Sequence, residues 1–482
     1  MTHPEQSHPK QSLPTYVDAA DYLGVLWRYL TEALCAEVFA ALRVRERQRK
    51  WTVFILVQFW IALLHDGPEV SQTQAVTDCA RGHPLYPVLT ATPESFFQRV
   101  QALRPAFFRA VFERVTAAIL ARVEALPVRF AAEPSTLPVS AAAFPEIYCV
   151  DASRLDKVAH RLKVLQRITK AVLPGSLEAV YDLRRGCLRQ LHFDPDGCRG
   201  ESALFEQVLP DLPPGTLLVA DRYYATPRLI DVVTMCRVDL VARARRGITM
   251  HRVQRLRRVR TATLAVDDEL VELGSPASAT GPVGVRHVRI RTVYKGAART
   301  LTLVTTVLDP KRLPAEQLAA LYGCRWTIER MFLTMKETLH LNRLYNSTPA
   351  AVGQQVYATA LLYNSLRLAQ VELAHRLDLA PERLSPEKLF PRLMQRLEQR
   401  TWIEVGAVGR DEQLRAVDPT IPPYDPEALA AMLVHHPKLR LTVADLLTEP
   451  RTGKRKKRRF CVGRHRHTSF AKLHGGKRFL KS

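Results

Sequence analysis

Residues 216–221 have the sequence TLLVAD, a continuous apolar run that ends in Asp221. A short run without polar interruption is typical of a strand that is buried on both faces of a sheet. The turn signal at residues 213–215, PPG, stands directly before it and marks its start. Residues 147–151, IYCVD, repeat the pattern and end in Asp151. The two stretches predict an α/β fold in which each aspartate follows a strand.

Asp151 and Asp221 are the first candidates for a functional site. Ligands of open α/β sheets bind outside the ends of the strands, so carboxylates placed there can converge on one point. An aspartate after a strand is, however, more often a turn former or a helix N-cap. Either residue alone is therefore weak support, and the prediction depends on a third acidic residue.

A third carboxylate comes from residues 321–336, LYGCRWTIERMFLTMK, which show helical periodicity. Tyr322, Arg325, Glu329 and Lys336 stand at offsets of 0, 3, 7 and 14, which on an α-helix fall within about one sixth of the circumference. The four side chains are therefore predicted to project together. Alone, such a face is more simply the solvated side of a helix. Combined with the two aspartates, three carboxylates without His or Cys favour Mg²⁺ or Mn²⁺.

The spacing Tyr-(2)-Arg-(3)-Glu-(6)-Lys resembles that of bacterial insertion-sequence transposases of the DDE class, in the branch called insertion sequence family four. Residues 221–224, DRYY, are similar to the family's second-aspartate segment. Residues 303–306, LVTT, are similar to its strand before the glutamate helix, and residues 363–367, YNSLR, to a later helix. The resemblance covers about residues 140 to 370, and the quartet is its most specific part.

The resemblance implies a DNA transposase with a ribonuclease-H-like catalytic domain. Asp151, Asp221 and Glu329 would be both the catalytic residues and the ligands of two Mg²⁺ ions, about 4 Å apart around one scissile phosphate, and Mn²⁺ would substitute. Such a site would support hydrolysis at the ends of the element and then strand transfer into target DNA, which together give cut-and-paste transposition.

The remaining quartet residues, Tyr322, Arg325 and Lys336, would contact DNA near the cut, as the resemblance implies. The implied partners are double-stranded DNA, at terminal inverted repeats and at target sites, and a second copy of the chain in a synaptic homodimer. No GxxxxGK[ST] motif occurs, so no use of ATP is predicted.

The charge of the chain favours the same partner. Lys and Arg number 70 against 47 Asp and Glu, a formal net charge of +23, and this surplus indicates a polyanionic ligand. Residues 243–260 hold eight Arg and no acidic residue, and they are predicted to contact the phosphate backbone rather than the bases. The DNA-binding candidates in this run are Arg243, Arg245, Arg246, Arg255, Arg257 and Arg258.

Changes in composition predict four regions. Residues 1–135 are predicted to form a helical DNA-binding region, and residues 136–400 the ribonuclease-H-like catalytic domain, interrupted by a β-rich insertion at about 243–300. Residues 401–450 are predicted to form a small helical C-terminal region. Residues 451–482 contain 13 Lys or Arg and no acidic residue, which predicts a disordered basic tail.

The cysteines and the apolar segments bear on location. Eight scattered Cys without a CxxC pair, and an N-terminus without an apolar signal core, predict a reducing cytoplasm. The resemblance implies that this is a bacterial cytoplasm, with the protein associated with the nucleoid. Residues 51–64 form the longest apolar run, which is shorter than the roughly 18 residues that cross a bilayer. A buried helix is predicted there, and no membrane partner.

Two alternatives stay open. One is a catalytically silent DNA-binding protein derived from a transposase, which would be expected to lack one of the three carboxylates. The other is a ribonuclease-H-like nuclease that cuts DNA without joining it. All three carboxylates are present, and the quartet favours transposition over cleavage alone.

Overall fold

The structure is a computed structural model that describes residues 16–18, 22–42, 49–83, 85–127, 142–155, 175–197, 199–261, 264–277, 280–294, 297–399 and 440–447. The chain divides into one compact unit, Met1–Leu446, and a second, Leu447–Ser482. The basic tail predicted at 451–482 and most of the region predicted at 401–450 lie outside the described residues. The elements described below all belong to the first unit.

A group of helices precedes the main sheet. The apolar run at residues 51–64 forms α3 (Val53–Asp66), as predicted, and most of its side chains are buried. It begins at Thr52, whose side chain accepts a hydrogen bond from the backbone N–H of Ile55. No helix in the described ranges is long and apolar enough to span a membrane. The other elements of this part are β1 (Tyr16–Asp18), α1 (Tyr22–Trp27), α2 (Glu32–Ala41), α4 (Gln72–Ala80), α5 (Pro93–Ala102) and α6 (Pro105–Ala125).

Nine strands form the central sheet. They are β2 (Ile147–Arg154), β3 (Ser176–Asp182), β4 (Cys187–Asp194), β5 (Leu217–Ala220), β6 (Asp239–Arg243), β7 (Met250–Arg260), β8 (Leu264–Leu273), β9 (Val283–Tyr294) and β10 (Ala297–Thr305). Their order in the sheet is β4-β3-β2-β5-β6-β10-β9-β8-β7. Strands β2, β5 and β6 are parallel neighbours, and the other pairs are antiparallel. The carboxyl ends of the three parallel strands therefore lie at one edge of the sheet.

Helices cover both faces of the parallel strands. Every residue of β5 is buried, so the predicted two-sided burial of the TLLVAD strand is confirmed. Helices α7 (Glu201–Val208) and α8 (Pro227–Met235) contribute to an apolar core that includes Tyr148 and Val150 of β2. Helix α10 (Trp326–Leu333) also contacts β2. Because side chains alternate along a strand, Cys149 and Asp151 face away from the core that holds Tyr148 and Val150.

Strands β7 to β10 extend the sheet beyond the parallel strands. Leu303 of β10 pairs with Arg243, the last residue of β6, so residues 297–302 of β10 continue past the carboxyl edge, over about 20 Å at 3.3 Å per residue. An ion pair with both side chains at most 1% exposed, Arg286 with Asp268 at 2.6 Å, lies inside this extension. Arg286 also donates to the carbonyl oxygen of Leu313, shortly before α9 (Ala315–Gly323).

The long helix α11 (Pro349–Arg376) joins the N-terminal helices to the sheet. The indole N–H of Trp60 donates to Gln354 Oε1 at 3.0 Å, and the amide of Gln354 donates to the carbonyl oxygen of Val100 at 2.8 Å. The amide of Asn364 exchanges hydrogen bonds with the backbone of Leu188 in β4. Residues 386–399 are helical, β11 (Arg440–Thr442) pairs with β1, and a short helix follows at Val443–Leu446.

Candidate active site

Asp151 and Asp221 lie beside each other at the carboxyl edge of the parallel strands. Strand β2 pairs with β5 through Ile147↔Leu217 and Cys149↔Val219, and continuing this register places Asp151 next to Asp221. The sequence predicted that Asp151 directly follows its strand, and this prediction is wrong. Asp151 lies within β2, because residues 151–154 still pair with β3. Asp221 follows its strand directly and accepts the backbone N–H of Tyr223 at 2.5 Å. The N-cap role considered for this residue is therefore also present.

The quartet does not lie on one continuous α-helix, so that prediction is wrong. Tyr322 belongs to α9, Arg325 to the junction, and Glu329 to α10. Between the helices the backbone N–H of Arg325 bonds to the carbonyl of Tyr322, a spacing of three residues instead of four, which tightens the turn. A π-helical turn, Thr334–Thr338, then follows α10 and contains Lys336. Each change of helix type alters the angle per residue, so the four side chains do not share one face.

Arg325 is the centre of the site. Its guanidinium lies 2.5 Å from Glu329 Oε1 and 3.9 Å from Asp151 Oδ2, so it bridges the helix carboxylate to the strand carboxylate. It also stacks over the ring of Trp326 at 5.2 Å and forms a hydrogen bond with Tyr322. The side chain is largely buried, and its Nε has no hydrogen-bond partner among the described residues. Arg325 thus contacts two other quartet residues, Tyr322 and Glu329.

The electrostatics of Asp151 show how close the three carboxylates are. Burial raises the pKa of Asp151 to about 7, and Arg325 opposes this while the charges of Asp221 and Glu329 add to it. A raised pKa is expected where several carboxylates lie close together, because their negative charges repel one another. The site therefore holds an excess of negative charge that a single guanidinium does not neutralise.

Lys336 points elsewhere. Its ammonium group donates to Ser153 Oγ at 2.5 Å and to the carbonyl oxygen of Arg154 at 2.9 Å, which are both at the end of β2. The π-turn inserts an extra residue into the helical repeat and turns this side chain towards the strand. Lys336 thus supports the end of the strand that carries Asp151.

The six insertion arginines fall into two groups. Arg243 is the last residue of β6, at the catalytic edge, and Arg245 and Arg246 follow it. All three are exposed, and no acidic side chain of the described part of the chain lies within salt-bridge distance of them. The charge of Arg243 acts on Tyr322, which places it beside the quartet. The second group lies on β7, the outermost strand. Its members are paired with acidic side chains: Arg255 with Glu269, Arg257 with Glu316 and Arg258 with Asp267.

The sequence did not indicate two further acidic residues near the site. Glu178 on β3 and Glu201 at the start of α7 both act electrostatically on the aspartates or respond to them. Burial and the charge of Asp221 raise the pKa of Glu201, and burial raises the pKa of Glu178 well above its usual range. A signal for Glu178 was its position as the lone acid inside an otherwise apolar stretch, SLEAV.

The donor set suits a hard divalent cation. Asp151, Asp221 and Glu329 offer only carboxylate oxygens, which Mg²⁺ and Mn²⁺ prefer. Within the described ranges, no three acidic, His or Cys side chains are yet arranged so that they could hold one ion together. Arg325 occupies the space between two of them. A metal ion and this guanidinium would therefore compete for the same oxygens.

The site thus combines an aspartate within β2, an aspartate directly after β5 and a glutamate on α10, all within one α/β unit. Residues 146–365 match the model of the family described as "Transposase DDE domain", and the matched range contains Asp151, Asp221 and Glu329. With the relatives below, this match supports placing the chain among the DDE insertion-sequence transposases, so the resemblance predicted from the quartet is confirmed.

Two curated relatives carry related names. The chain is 34% identical over 122 residues to a protein named "Putative transposase y4zB" from Sinorhizobium fredii, an alignment that covers 24% of this chain and 33% of that protein. It is 25% identical over 185 residues to "Transposase InsG for insertion sequence element IS4" from Escherichia coli, covering 37% of this chain and 40% of that protein. The matches thus span about a third to two fifths of the relatives' lengths.

Proposed function

We propose that this protein is a cut-and-paste DNA transposase that cleaves the ends of an insertion sequence and joins them to target DNA. The observation that carries the proposal is the meeting of Asp151, Asp221 and Glu329 at one sheet edge with an arginine among them. The family match over residues 146–365 and the names of the two relatives support it. The order and direction of β2 to β6 support a ribonuclease-H-like catalytic core.

Each residue of the site has a proposed task. Asp151, Asp221 and Glu329 would hold two Mg²⁺ ions, or Mn²⁺, and these ions supply activation of the nucleophile and stabilisation of the leaving oxygen at phosphorus. Arg325 would bind a phosphate oxygen near the cut, and Tyr322 would donate a hydrogen bond to the DNA backbone.

Lys336 has a different proposed position in the mechanism. In the present arrangement it fixes the end of β2 through Ser153 and Arg154. We expect the ammonium group of Lys336 to move from Ser153 and Arg154 to the DNA only if a phosphate replaces the hydrogen bonds to these two residues. A buried ammonium group without partners destabilises the folded state.

The proposed DNA partner fits the charge distribution. Arg243 ends β6 at the catalytic edge and Arg245 and Arg246 come just after it, so all three would add phosphate contacts there. Arg255, Arg257 and Arg258 would contribute less, because each already has an acidic neighbour. We also propose a helical N-terminal DNA-binding region at residues 1–135, a synaptic homodimer and action on the bacterial chromosome in the cytoplasm without ATP.

The test separates chemistry from binding. Asp221→Ala removes a proposed metal ligand but no proposed DNA contact, so we expect cleavage of end-bearing DNA to be lost while the Kd for that DNA stays within about twofold. Asp231→Ala, on the exposed side of α8, is the matched control and should keep both activities. Equal loss of cleavage and binding in Asp221→Ala would contradict the assignment of this residue. Tight binding without any cleavage by the wild type, in Mg²⁺ or Mn²⁺, would favour the silent DNA-binding alternative.

A further inference from the structure

The turn after the second aspartate is held in place by two tyrosine side chains. Residues 222–224 form one 3₁₀ turn that begins at Asp221. The hydroxyl of Tyr223 lies 3.1 Å from Ser202 Oγ on α7, and the hydroxyl of Tyr224 donates to Glu178 Oε1 on β3 at 2.9 Å. The backbone N–H of Tyr223 in turn bonds to the carboxylate of Asp221. A strand and a helix outside the motif therefore fix the position of this aspartate.

The burial of the Glu178 carboxyl group is unfavourable for the stability of the fold. Its side chain is 0% exposed, and its Oε2 has no hydrogen-bond partner among the described residues. Burial raises its pKa well above the usual range, and the charges of Asp151, Glu201 and Asp221 act in the same direction. Its Oε1 accepts the hydrogen bond that the hydroxyl of Tyr224 donates. A buried polar group with unmet hydrogen-bonding capacity destabilises a fold, so its presence calls for a function.

Glu178 does not itself reach the site. It pairs across the strands with Ala152, so its side chain lies on the opposite face of the sheet from Asp151. Its hydrogen bond to Tyr224 is the direct link to the turn that carries Asp221. The ring of Tyr224 is wholly buried and packs edge-on against Phe205 at 4.8 Å, which leaves the hydroxyl little freedom to find another acceptor.

We propose that Glu178 and Tyr224 form a positioning pair that holds the Asp221 turn in the geometry needed for divalent-metal binding. The Glu178 carboxyl group suits this role because it accepts the tyrosine hydrogen bond, and its burial favours the protonated form, which adds no negative charge beside the catalytic carboxylates. An ionised glutamate would increase the mutual repulsion, and an aliphatic residue would leave the tyrosine hydroxyl unpaired. The inference rests on the proposed function, since it concerns the metal site of that reaction.

The test compares two tyrosines that make the same kind of bond. Tyr224→Phe removes the hydroxyl group that donates the hydrogen bond to Glu178. Tyr148→Phe is the matched control, because Tyr148 is equally buried in the same core and donates to Glu146 at 2.6 Å, near the start of β2 and away from the catalytic edge. Glu178→Gln carries no charge and keeps an oxygen that can accept the hydrogen bond from Tyr224. Mn²⁺ binding is measured from the electron paramagnetic resonance signal of free Mn²⁺, and DNA cleavage is measured as a function of Mg²⁺ concentration.

Tyr224→Phe should weaken Mn²⁺ binding, and raise the Mg²⁺ concentration for half-maximal cleavage, by about 5- to 10-fold, the equivalent of one buried hydrogen bond. Glu178→Gln should stay within about twofold of the wild type in both measurements. Tyr148→Phe should lower the thermal midpoint but leave Mn²⁺ affinity unchanged. Equal Mn²⁺ affinities for the two Tyr→Phe variants would overturn the inference, as would a Glu178→Gln variant as weak as Tyr224→Phe. If the wild type binds Mn²⁺ but cleaves no DNA, the proposed function fails while the Mn²⁺ comparison still decides on the pair.

Discussion

Replacing Arg325 by Gln should make the protein bind divalent metal more tightly when no DNA is present. The guanidinium contacts Glu329 at 2.5 Å and lies 3.9 Å from Asp151, so it neutralises the oxygens that a metal ion needs. At about 4 Å and an effective dielectric constant of about 20, two unit charges attract by about 4 kcal/mol. The side chain of Glu329 is 35% exposed, and solvent screening reduces this to about 1–2 kcal/mol. The substitution should therefore raise Mn²⁺ affinity by about 10-fold.

The assay is a titration with Mn²⁺ at pH 8, followed by the signal of the free ion, with and without a DNA duplex. Arg330→Gln makes the same change of charge at an exposed position of α10, the helix that begins directly after Arg325, and is the control. In the wild type, DNA should tighten Mn²⁺ binding, because a phosphate draws Arg325 away from the carboxylates, and by linkage Mn²⁺ should tighten DNA binding by the same factor. Arg325→Gln should lose most of that coupling. Unchanged or weaker Mn²⁺ binding in Arg325→Gln without DNA would refute the idea that arginine and metal compete.

Three other perturbations have defined outcomes. The folded-state pKa of Asp151 is about 7, above its unfolded value of about 4, so the folded protein binds the extra proton between these values. As pH rises from about 4 to 7, the free energy of unfolding of the metal-free wild type should therefore fall relative to that of Asp151→Asn, by at most about 4 kcal/mol. Thermal midpoints that change with pH by the same amount in the two proteins would contradict this. Arg243→Gln should lower the salt dependence of DNA binding, measured as the slope of log K against log salt concentration, by about one. Arg257→Gln should change this slope less, and equal slopes for the two variants would contradict the division of the arginines into two groups. Asp268→Ala should lower the free energy of unfolding in urea by about 3–5 kcal/mol, because it leaves the charge of Arg286 buried and unpaired, and a loss below about 1 kcal/mol would show that this charge is solvated.

The position of Asp221 after its strand could be predicted because local sequence determines it, whereas the strand that holds Asp151 continues to Arg154 through its pairing with β3. The apolar side chains of the run TLLVAD avoid water only if the strand is buried on both faces, and a residue after such a strand lies at the edge of the sheet where ligands bind. The order of the nine strands could not be derived in this way, since β10 pairs with β6 across more than 50 residues of intervening chain, and only tertiary packing decides that partner.

The quartet could be predicted as a group but not in its geometry. Its spacing assumed 100° per residue throughout, whereas the turn at Arg325 tightens and the turn at Lys336 widens. Both changes depend on contacts that the local sequence does not contain, such as the bonds from Lys336 to Ser153 and Arg154, at a separation of more than 180 residues. The role of Glu178 was hidden for the same reason, because its partner Tyr224 lies 46 residues away.

The most direct test of the central claim uses a plasmid that carries the gene for this chain with its flanking DNA. Purified protein is incubated with it in Mg²⁺ or in EDTA, beside Glu329→Gln, which changes one proposed metal ligand and keeps its size. The account predicts discrete breaks at both flanks in Mg²⁺, no breaks in EDTA, and none with Glu329→Gln although this variant still binds the DNA. Breaks of equal rate with Glu329→Gln, or breaks that persist in EDTA, would contradict a metal-dependent site built from Asp151, Asp221 and Glu329.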